Sequence, residues 1–336
     1  MQYREKRDVA NQTKKDYVDG FHHILAQRQK QACHIRADYF MHIFEDPETY
    51  RNDLRKMLGW PLVEHKTTGL PSATSELLAK EDGYNIYRMQ FEILDGLKMG
   101  GLFFKWNGEE QKPLVIVQHG GAGTPEHISG FYDGNTSNYN DMLHRVKKHG
   151  VHVFAPQLLL WNNSTYQVEH SRRETDAKLK RVGSSITAVE IYGIIKILDY
   201  FEAKSYVSSF GMVGLSYGGF YTLYTAALDT RIQSAISCSY FNTRDVYDWM
   251  DWTWFKSAEM FDDAEIVSLV YPRKLCIEIG DHDSLFDAKF SVESFKRIKE
   301  IFHDRELSWL DFIVFNGDHE FHKDDAPIER LINDLK

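Results

Sequence analysis

The feature that most constrains the fold of this chain is a run without a single charged residue, from Ser205 to Leu228. A run of about 20 such residues is long enough to cross a membrane. This one, however, contains glycine at positions 211, 214, 218 and 219, and glycine interrupts regular elements. We therefore expect two shorter elements, a strand and a helix, buried in the middle of a larger protein.

Apolar runs and helical patterns alternate on either side of that segment. Runs typical of strands buried on both faces are Pro113–Gln118, Val151–Ala155, Ser209–Val213, Ile232–Ser237, Leu275–Ile279 and Trp309–Phe315. Helical patterns are found at Tyr139–His149 and Thr175–Glu202. The alternation predicts an α/β fold with a mostly parallel central sheet and helices on both faces.

The first part of the chain has a different texture. Residues 1–75 are polar and aromatic with weak helical periodicity, and they predict an N-terminal extension of short helices. Residues 76–336 predict one α/β domain, which begins with a hairpin whose turn is Asp95-Gly96. Two connections, 157–174 and 242–271, are too long for simple loops and predict cap-like insertions at the carboxyl ends of the strands, where such sheets carry their sites.

The strand at Ser209–Val213 leads into the sequence GLSYGG, which opens a helix. A strand-to-helix turn this tight needs small residues two positions before and after its centre, and Gly214 and Gly218 supply them. Such a turn exposes the central serine hydroxyl at the edge of the sheet. We interpret Ser216 as a candidate nucleophile, with helix capping as the structural alternative.

A serine nucleophile needs a base, and the base needs an orienting acid. The motifs GDHD and GDHEF follow the last two predicted strands, in the order in which acid and base are required. Asp283 lies farther from its strand than Asp281, so we favour Asp283 as the acid and Asp281 as a brace for the turn. We favour His319 as the base over His322, which lies in a charged stretch.

An oxyanion formed by attack on a carbonyl is best stabilised by backbone N–H groups, which are fixed before the reaction. Tyr217, directly after the serine, predicts one donor. The glycine-rich loop HGGAG after Pro113–Gln118 predicts the other, with Gly121 favoured and Gly120 kept as the alternative. A phosphate-binding loop is disfavoured because neither G-x-G-x-x-G nor G-x-x-x-x-G-K-[ST] is present.

Together, the motifs HGG, GLSYGG, GDHD and GDHEF resemble the α/β-hydrolase superfamily. The last three are similar to its branch of dienelactone hydrolases, acetyl xylan esterases and prolyl oligopeptidase-like proteins. The resemblance extends from Tyr84 to Lys336 and implies a triad of Ser216, Asp283 and His319. Dienelactone hydrolases themselves use a cysteine nucleophile, and typical prolyl oligopeptidases carry a β-propeller, so neither of those two activities is implied.

The sequence thus predicts a serine hydrolase that cleaves a carboxylic ester through an acyl-enzyme, of the esterase or carbohydrate deacetylase type. A small peptidase or amidase is the first alternative, and a hydrolase-like binding protein without activity is the second. Tryptophans in the two insertions predict a wall of the substrate pocket, unless they bury a small helical cap against the sheet. They are Trp161, Trp249, Trp252 and Trp254.

Charge and cysteine content set further expectations. The chain has 40 Lys and Arg against 49 Asp and Glu, a net charge of −9, which disfavours nucleic acid and membrane partners and leaves a small ester as the expected one. Its cysteines, Cys33, Cys238 and Cys276, are too few and too widely spaced for a disulfide framework, and the charged N-terminus lacks a signal-peptide core, so we expect a cytoplasmic protein. We expect no metal and no cofactor, and homo-oligomerisation stays open.

Overall fold

The computed structural model describes residues 2–60, 69–132, 136–160, 168, 170–247 and 249–336. Within these residues the strands form one nine-stranded sheet in the order β1-β2-β3-β5-β4-β6-β7-β8-β9. The strands are β1 (Ala73–Glu81), β2 (Tyr84–Leu94), β3 (Leu97–Trp106), β4 (Lys112–Gln118), β5 (His152–Pro156), β6 (Val207–Leu215), β7 (Ile232–Cys238), β8 (Lys274–Gly280) and β9 (Leu310–Phe315). The predicted α/β fold is confirmed.

The sheet is parallel where the sequence alternates between strand and helix patterns. Strands β5, β4, β6, β7, β8 and β9 pair with one another in parallel, in that order. Strands β1, β2 and β3 are antiparallel, and the β2–β3 hairpin turns at Asp95 and Gly96, whose φ angles are 39° and 84°. Strand β1 does not stand out in the sequence because it is mostly exposed at the edge of the sheet and therefore lacks alternating apolar residues.

Helices cover both faces of the sheet. They are α1 (Arg7–Tyr39), α2 (Pro47–Leu58), α3 (Pro125–Ile128), α4 (Met142–Lys147), α5 (Arg172–Arg181), α6 (Ile186–Glu202), α7 (Tyr217–Leu228), α8 (Ser257–Met260), α9 (Asp263–Ser268), α10 (Ala288–Ile301) and α11 (Ala326–Asp334). The side chains of β4 alternate between two buried clusters. Leu114 and Ile116 join the cluster that contains α6 and α7, while Val115 and Val117 join the one that contains α4 and α11.

Two helix predictions are corrected by the structure. Thr175–Glu202 is not one helix, because the chain breaks between α5 and α6 at Gly183, whose φ is +86°, and Ser185 caps α6 through the backbone N–H of Ala188. The N-terminal extension is not made of short helices only, because α1 runs over 33 residues. Most of α1 is exposed, so it has no buried face to impose an apolar period; its C-terminal end is attached through Arg36, whose Nη1 donates to the carbonyl of Ala258 at 2.5 Å.

The uncharged run from Ser205 to Leu228 contains β6 and α7, with Ser216 as the residue between them. Among the described residues, we find no helix that is both long and apolar enough to span a bilayer. The run lacks charges because β6 is a central strand and every residue of α7 is buried.

Candidate active site

The turn between β6 and α7 holds Ser216 in a backbone conformation that residues other than glycine rarely adopt, with φ +59° and ψ −121°. Its N–H donates to the carbonyl oxygen of Cys238 at 2.8 Å, which ties the turn to the end of β7. A Cβ atom at Gly214 would lie 2.2 Å from the carbonyl oxygen of Gly218, and one at Gly218 would lie 2.2 Å from that of Gln118. Both flanking glycines are therefore required by close backbone packing.

The loops after β8 and β9 bring a carboxylate and an imidazole together. Nδ1 of His319 lies 2.8 Å from Oδ2 of Asp283, and Asp283 is buried. The other carboxylate oxygen accepts the N–H groups of Leu285 at 2.8 Å and Phe286 at 3.0 Å. Because Asp283 is held on both sides, it fixes the orientation of the His319 ring.

The neighbouring candidates Asp281 and His322 occupy different places. Asp281 accepts the N–H of Gly317 at 3.1 Å, so it braces the two loops against each other. His322 lies with its Nδ1 3.1 Å from Oε1 of Glu278, a carboxylate buried in β8. Neither residue takes part in the Asp283–His319 pair.

The His319 loop is attached to the same strand end as the Ser216 turn. The carbonyl oxygen of Glu320 accepts from Oγ of Ser239 at 2.9 Å and from Sγ of Cys238 at 3.4 Å. Since the Ser216 N–H also bonds to Cys238, the two loops are connected through one residue of β7. Among the described residues, the hydroxyl of Ser216 has no hydrogen-bond partner, and His319 is not bonded to it.

The glycine-rich loop after β4 lies against the Ser216 turn. A Cβ atom at Gly120 would come within 3.3 Å of the Cβ of Ser216. The N–H of Gly120 already donates to the hydroxyl of Tyr139 at 2.9 Å, whereas the N–H of Gly121 has no partner in the part of the chain described here. Of the two N–H groups, that of Gly120 is thus already bonded within the protein.

His119, at the start of this loop, is fully buried and uncharged. Burial lowers the pKa of His119 to about 4, and its Nε2 accepts the backbone N–H of Leu158 at 3.0 Å. A neutral imidazole is needed for that bond, because a protonated ring has no acceptor. His119 therefore joins the glycine-rich loop to the segment after β5.

The four tryptophans predicted to line the pocket occupy different surroundings. Trp161 lies outside the described residues. Trp252 and Trp254 are only 2% and 5% exposed and pack against Phe220 in α7, which is the burial alternative that the sequence left open. Trp249 is partly buried, and its ring stacks on that of Tyr217 with centroids 5.6 Å apart.

A buried polar cluster lies behind the Ser216 turn and was not anticipated from the sequence. Nε of Arg172 lies 2.7 Å from Oδ2 of Asp251, and this oxygen also accepts the hydroxyl of Tyr217 at 3.0 Å. Charged residues are rarely buried, so the sequence predicts that Arg172 and Asp251 lie at the surface. Their spacing along the chain gives no indication that they are buried. Elsewhere in the described residues, we find no group of three or more His, Cys, Asp and Glu side chains that could hold a metal ion.

Comparison with known proteins finds relatives that are named as hydrolases. No family model matches it. The chain is 32% identical over 236 residues to YtaP of Bacillus subtilis (strain 168), which is named as a candidate hydrolase, and the aligned part covers 65% of this chain and 77% of YtaP.

Solved structures that share the architecture include two esterases. Acetyl xylan esterase 1 from Thermoanaerobacterium sp. JW/SL YS485 matches with a TM-score of 0.57 and 16% identity, over 87% of this chain and 94% of that one. A glucuronoyl esterase from Solibacter usitatus matches with a TM-score of 0.59 and 12% identity, over 86% of this chain and 92% of that one. At such identities the likeness shows the fold alone.

Proposed function

The chain belongs to the α/β-hydrolase superfamily, and we propose that it is a serine hydrolase that cleaves carboxylic esters. The observation that carries the proposal is the pairing of Nδ1 of His319 with Oδ2 of Asp283 at 2.8 Å, in the loops of β9 and β8. Ser216 stands on the strained turn after β6, at the same edge of the parallel sheet. A nucleophile, a base and an orienting acid are the parts that acyl transfer requires.

In the acylation step, Oγ of Ser216 attacks the ester carbonyl while Nε2 of His319 takes the hydroxyl proton. Asp283 keeps the proton of the neutral ring on Nδ1, so that Nε2 is free to accept, and it stabilises the imidazolium that forms. When the tetrahedral intermediate collapses, the bond to the alcohol oxygen breaks. The alcohol leaves with the proton that His319 returns.

The negative charge on the carbonyl oxygen is stabilised by the N–H groups of Tyr217 and Gly121. Tyr217 is the first residue of α7, where the helix dipole also favours negative charge. The available N–H of Gly121 supports its role as the second donor. Removing one such donor typically costs about 100-fold to 1,000-fold in kcat.

Deacylation repeats the step with water in place of Ser216. His319 takes a proton from the water molecule, which attacks the acyl carbon and expels Oγ of Ser216. The serine recovers its proton from His319, and a carboxylic acid is released. None of these steps requires a group beyond the side chains and backbone named.

The substrate class is proposed from the names of solved structures that share the fold. Both of the solved structures described above are named as esterases, one of them for acetylated xylan. An ester of a small acid, such as an acetylated sugar or an aryl acetate, is therefore the leading proposal. Peptidase or amidase activity of the same triad is distinguished by comparing p-nitrophenyl acetate and butyrate with an aminoacyl p-nitroanilide.

The proposal is tested with a fluorophosphonate probe, which labels activated serines. We expect labelling of the wild-type protein and its loss in Ser216→Ala and in His319→Ala. Ser284→Ala is the matched control, because Ser284 is an exposed serine next to Asp283. Equal labelling of the wild type and Ser216→Ala would contradict the nucleophile assignment, and absence of labelling and of ester hydrolysis in the wild type would contradict the proposed function.

A further inference from the structure

The buried cluster behind the Ser216 turn consists of Arg172, Glu190, Tyr217, Tyr221 and Asp251, all of them buried. Arg172 is only 2% exposed, and every nitrogen of its guanidinium has a partner. Besides Oδ2 of Asp251, it donates to Oε2 of Glu190 at 2.9 Å and to the hydroxyl of Tyr221 at 2.7 Å. Four hydrogen bonds from its three guanidinium nitrogens thus hold this buried side chain in place.

Arg172 connects parts of the chain that are distant in sequence. It begins α5 near the end of the first insertion, and its Nη1 also donates to the carbonyl of Leu159 at 3.0 Å. Asp251 belongs to the 3₁₀ turn Met250–Trp252 of the second insertion. Glu190 lies in α6, and Tyr221 lies one turn into α7. One side chain thus joins both insertions to the helix that begins after the nucleophile.

The connection to the proposed oxyanion site runs through Tyr217. Its hydroxyl donates to Oδ2 of Asp251 at 3.0 Å, the oxygen that Arg172 also holds. The guanidinium carbon of Arg172 lies 5.5 Å from the centroid of the Tyr217 ring. The ring is therefore fixed at its hydroxyl end and across its face, and the backbone N–H of the same residue is the one proposed to face the oxyanion.

The charges in the cluster give a second reason why the proposed oxyanion site needs Arg172. Two carboxylates, Glu190 and Asp251, are buried with this single cation. Burial acts to lower the pKa of Arg172, but the charges of Glu190 and Asp251 outweigh it and raise this pKa, so the guanidinium stays protonated. Without the cation, two negative charges would stand behind the place where a third develops in the transition state.

We propose that Arg172 is a positioning residue for the oxyanion site, which acts through Asp251 and Tyr217. The inference rests on the proposed function. We expect Arg172→Met to lower kcat by about 100-fold, as misplacement of a reacting group by roughly 1 Å does, with little change in KM. Arg172→Lys keeps the charge without the planar fork, so we expect an intermediate kcat.

The matched control is Arg51→Met. Arg51 is also a buried arginine, and it holds the far end of α7, where its Nε donates to the carbonyl of Ala227 at 3.0 Å. We expect both substitutions to lower the melting temperature, but only the change at Arg172 to lower kcat. Arg172→Met should also weaken the binding of phenylboronic acid, which forms a tetrahedral adduct on an activated serine. We expect the loss of affinity to be proportional to the loss of kcat.

If Arg172→Met does not fold, the same link is tested by Tyr217→Phe, which removes only the hydroxyl that bonds to Asp251. Tyr224→Phe is its control, because Tyr224 is buried on the same helix and its hydroxyl accepts from Nη1 of Arg244 at 2.9 Å, outside the cluster. A lower kcat for Tyr217→Phe alone supports the proposal.

The inference is overturned if Arg172→Met keeps kcat and boronic acid affinity near those of the wild type, or if Tyr217→Phe and Tyr224→Phe behave alike. These outcomes require an active wild type. If the wild type neither hydrolyses esters nor reacts with a fluorophosphonate, the proposed function itself is wrong, and the role of Arg172 in it is wrong with it.

Discussion

Asp283 and His319 are 36 positions apart in the chain and are joined by a hydrogen bond of 2.8 Å, whereas Asp281, two residues nearer to its strand, points to the backbone of Gly317 instead. Two carboxylates in one short loop thus have separate tasks. One holds the imidazole, and the other holds the loop that carries it.

The first prediction compares these two carboxylates. Asp283→Asn should lower kcat by about 10⁴-fold, because an amide at this position favours the wrong imidazole tautomer. Asp281→Asn should leave kcat within a few-fold of the wild type, since an amide oxygen can still accept the Gly317 N–H. Steady-state hydrolysis of p-nitrophenyl acetate measures both. A large loss of kcat in Asp281→Asn alone would show that the acid is misassigned.

The second prediction concerns the packing of the Ser216 turn. Gly218→Ala should destabilise the protein by about 3 kcal/mol, because the new Cβ would stand 2.2 Å from a backbone oxygen that cannot easily move. Gly20→Ala is the control, because a Cβ there meets nothing within 4 Å and the residue lies inside α1. Urea denaturation should show a loss of stability for the first substitution and none for the second. Equal midpoints would contradict this account of the turn.

The third prediction concerns acid stability. Burial lowers the pKa of His119 to about 4 and that of His152 to about 4, below the unfolded value of about 6.5. The unfolded chain therefore binds these protons first, so folding stability falls as the pH drops from about 6.5 to 4. Each histidine should account for a loss of up to about 3 kcal/mol over that range.

His152→Gln measures this contribution. The slope of unfolding free energy against pH, from urea titrations between pH 6 and pH 4.5, should decrease by up to about 1.4 kcal/mol per pH unit. His22→Gln, an exposed position on α1, should leave the slope unchanged. An unchanged slope in both variants would mean that His152 does not contribute to acid sensitivity.

The fourth prediction concerns Trp249, whose ring contacts those of Tyr217 and Phe286 with centroid distances of 5.6 Å and 6.0 Å. Trp249→Ala should reduce kcat/KM for aryl esters by about tenfold, because a stacking surface next to the site is lost. Phe255→Ala should have no effect, since Phe255 lies in the same insertion and is 91% exposed. Similar kcat/KM values for the two variants would remove Trp249 from the predicted pocket.

Local sequence patterns were sufficient for the parts of the fold that depend on neighbouring residues. The hairpin at Asp95-Gly96 and the strands of the parallel region follow from turn chemistry and apolar runs, and the structure confirms them. The length of α1 and the break at Gly183 did not follow from local sequence patterns. An exposed helix has no buried face to give it a period, and a short interruption does not erase the helical pattern on either side of it.

The sequence alone determined which residue types follow the strands and in which order, because the strand patterns and the motifs after them are read directly along the chain. The tertiary structure decided which carboxylate meets His319, which glycine N–H is left available, and that Arg172 is buried beside Tyr217. Those outcomes depend on contacts between segments tens of residues apart. Such contacts are set by how the sheet and the insertions pack together, and no spacing along the chain encodes them directly.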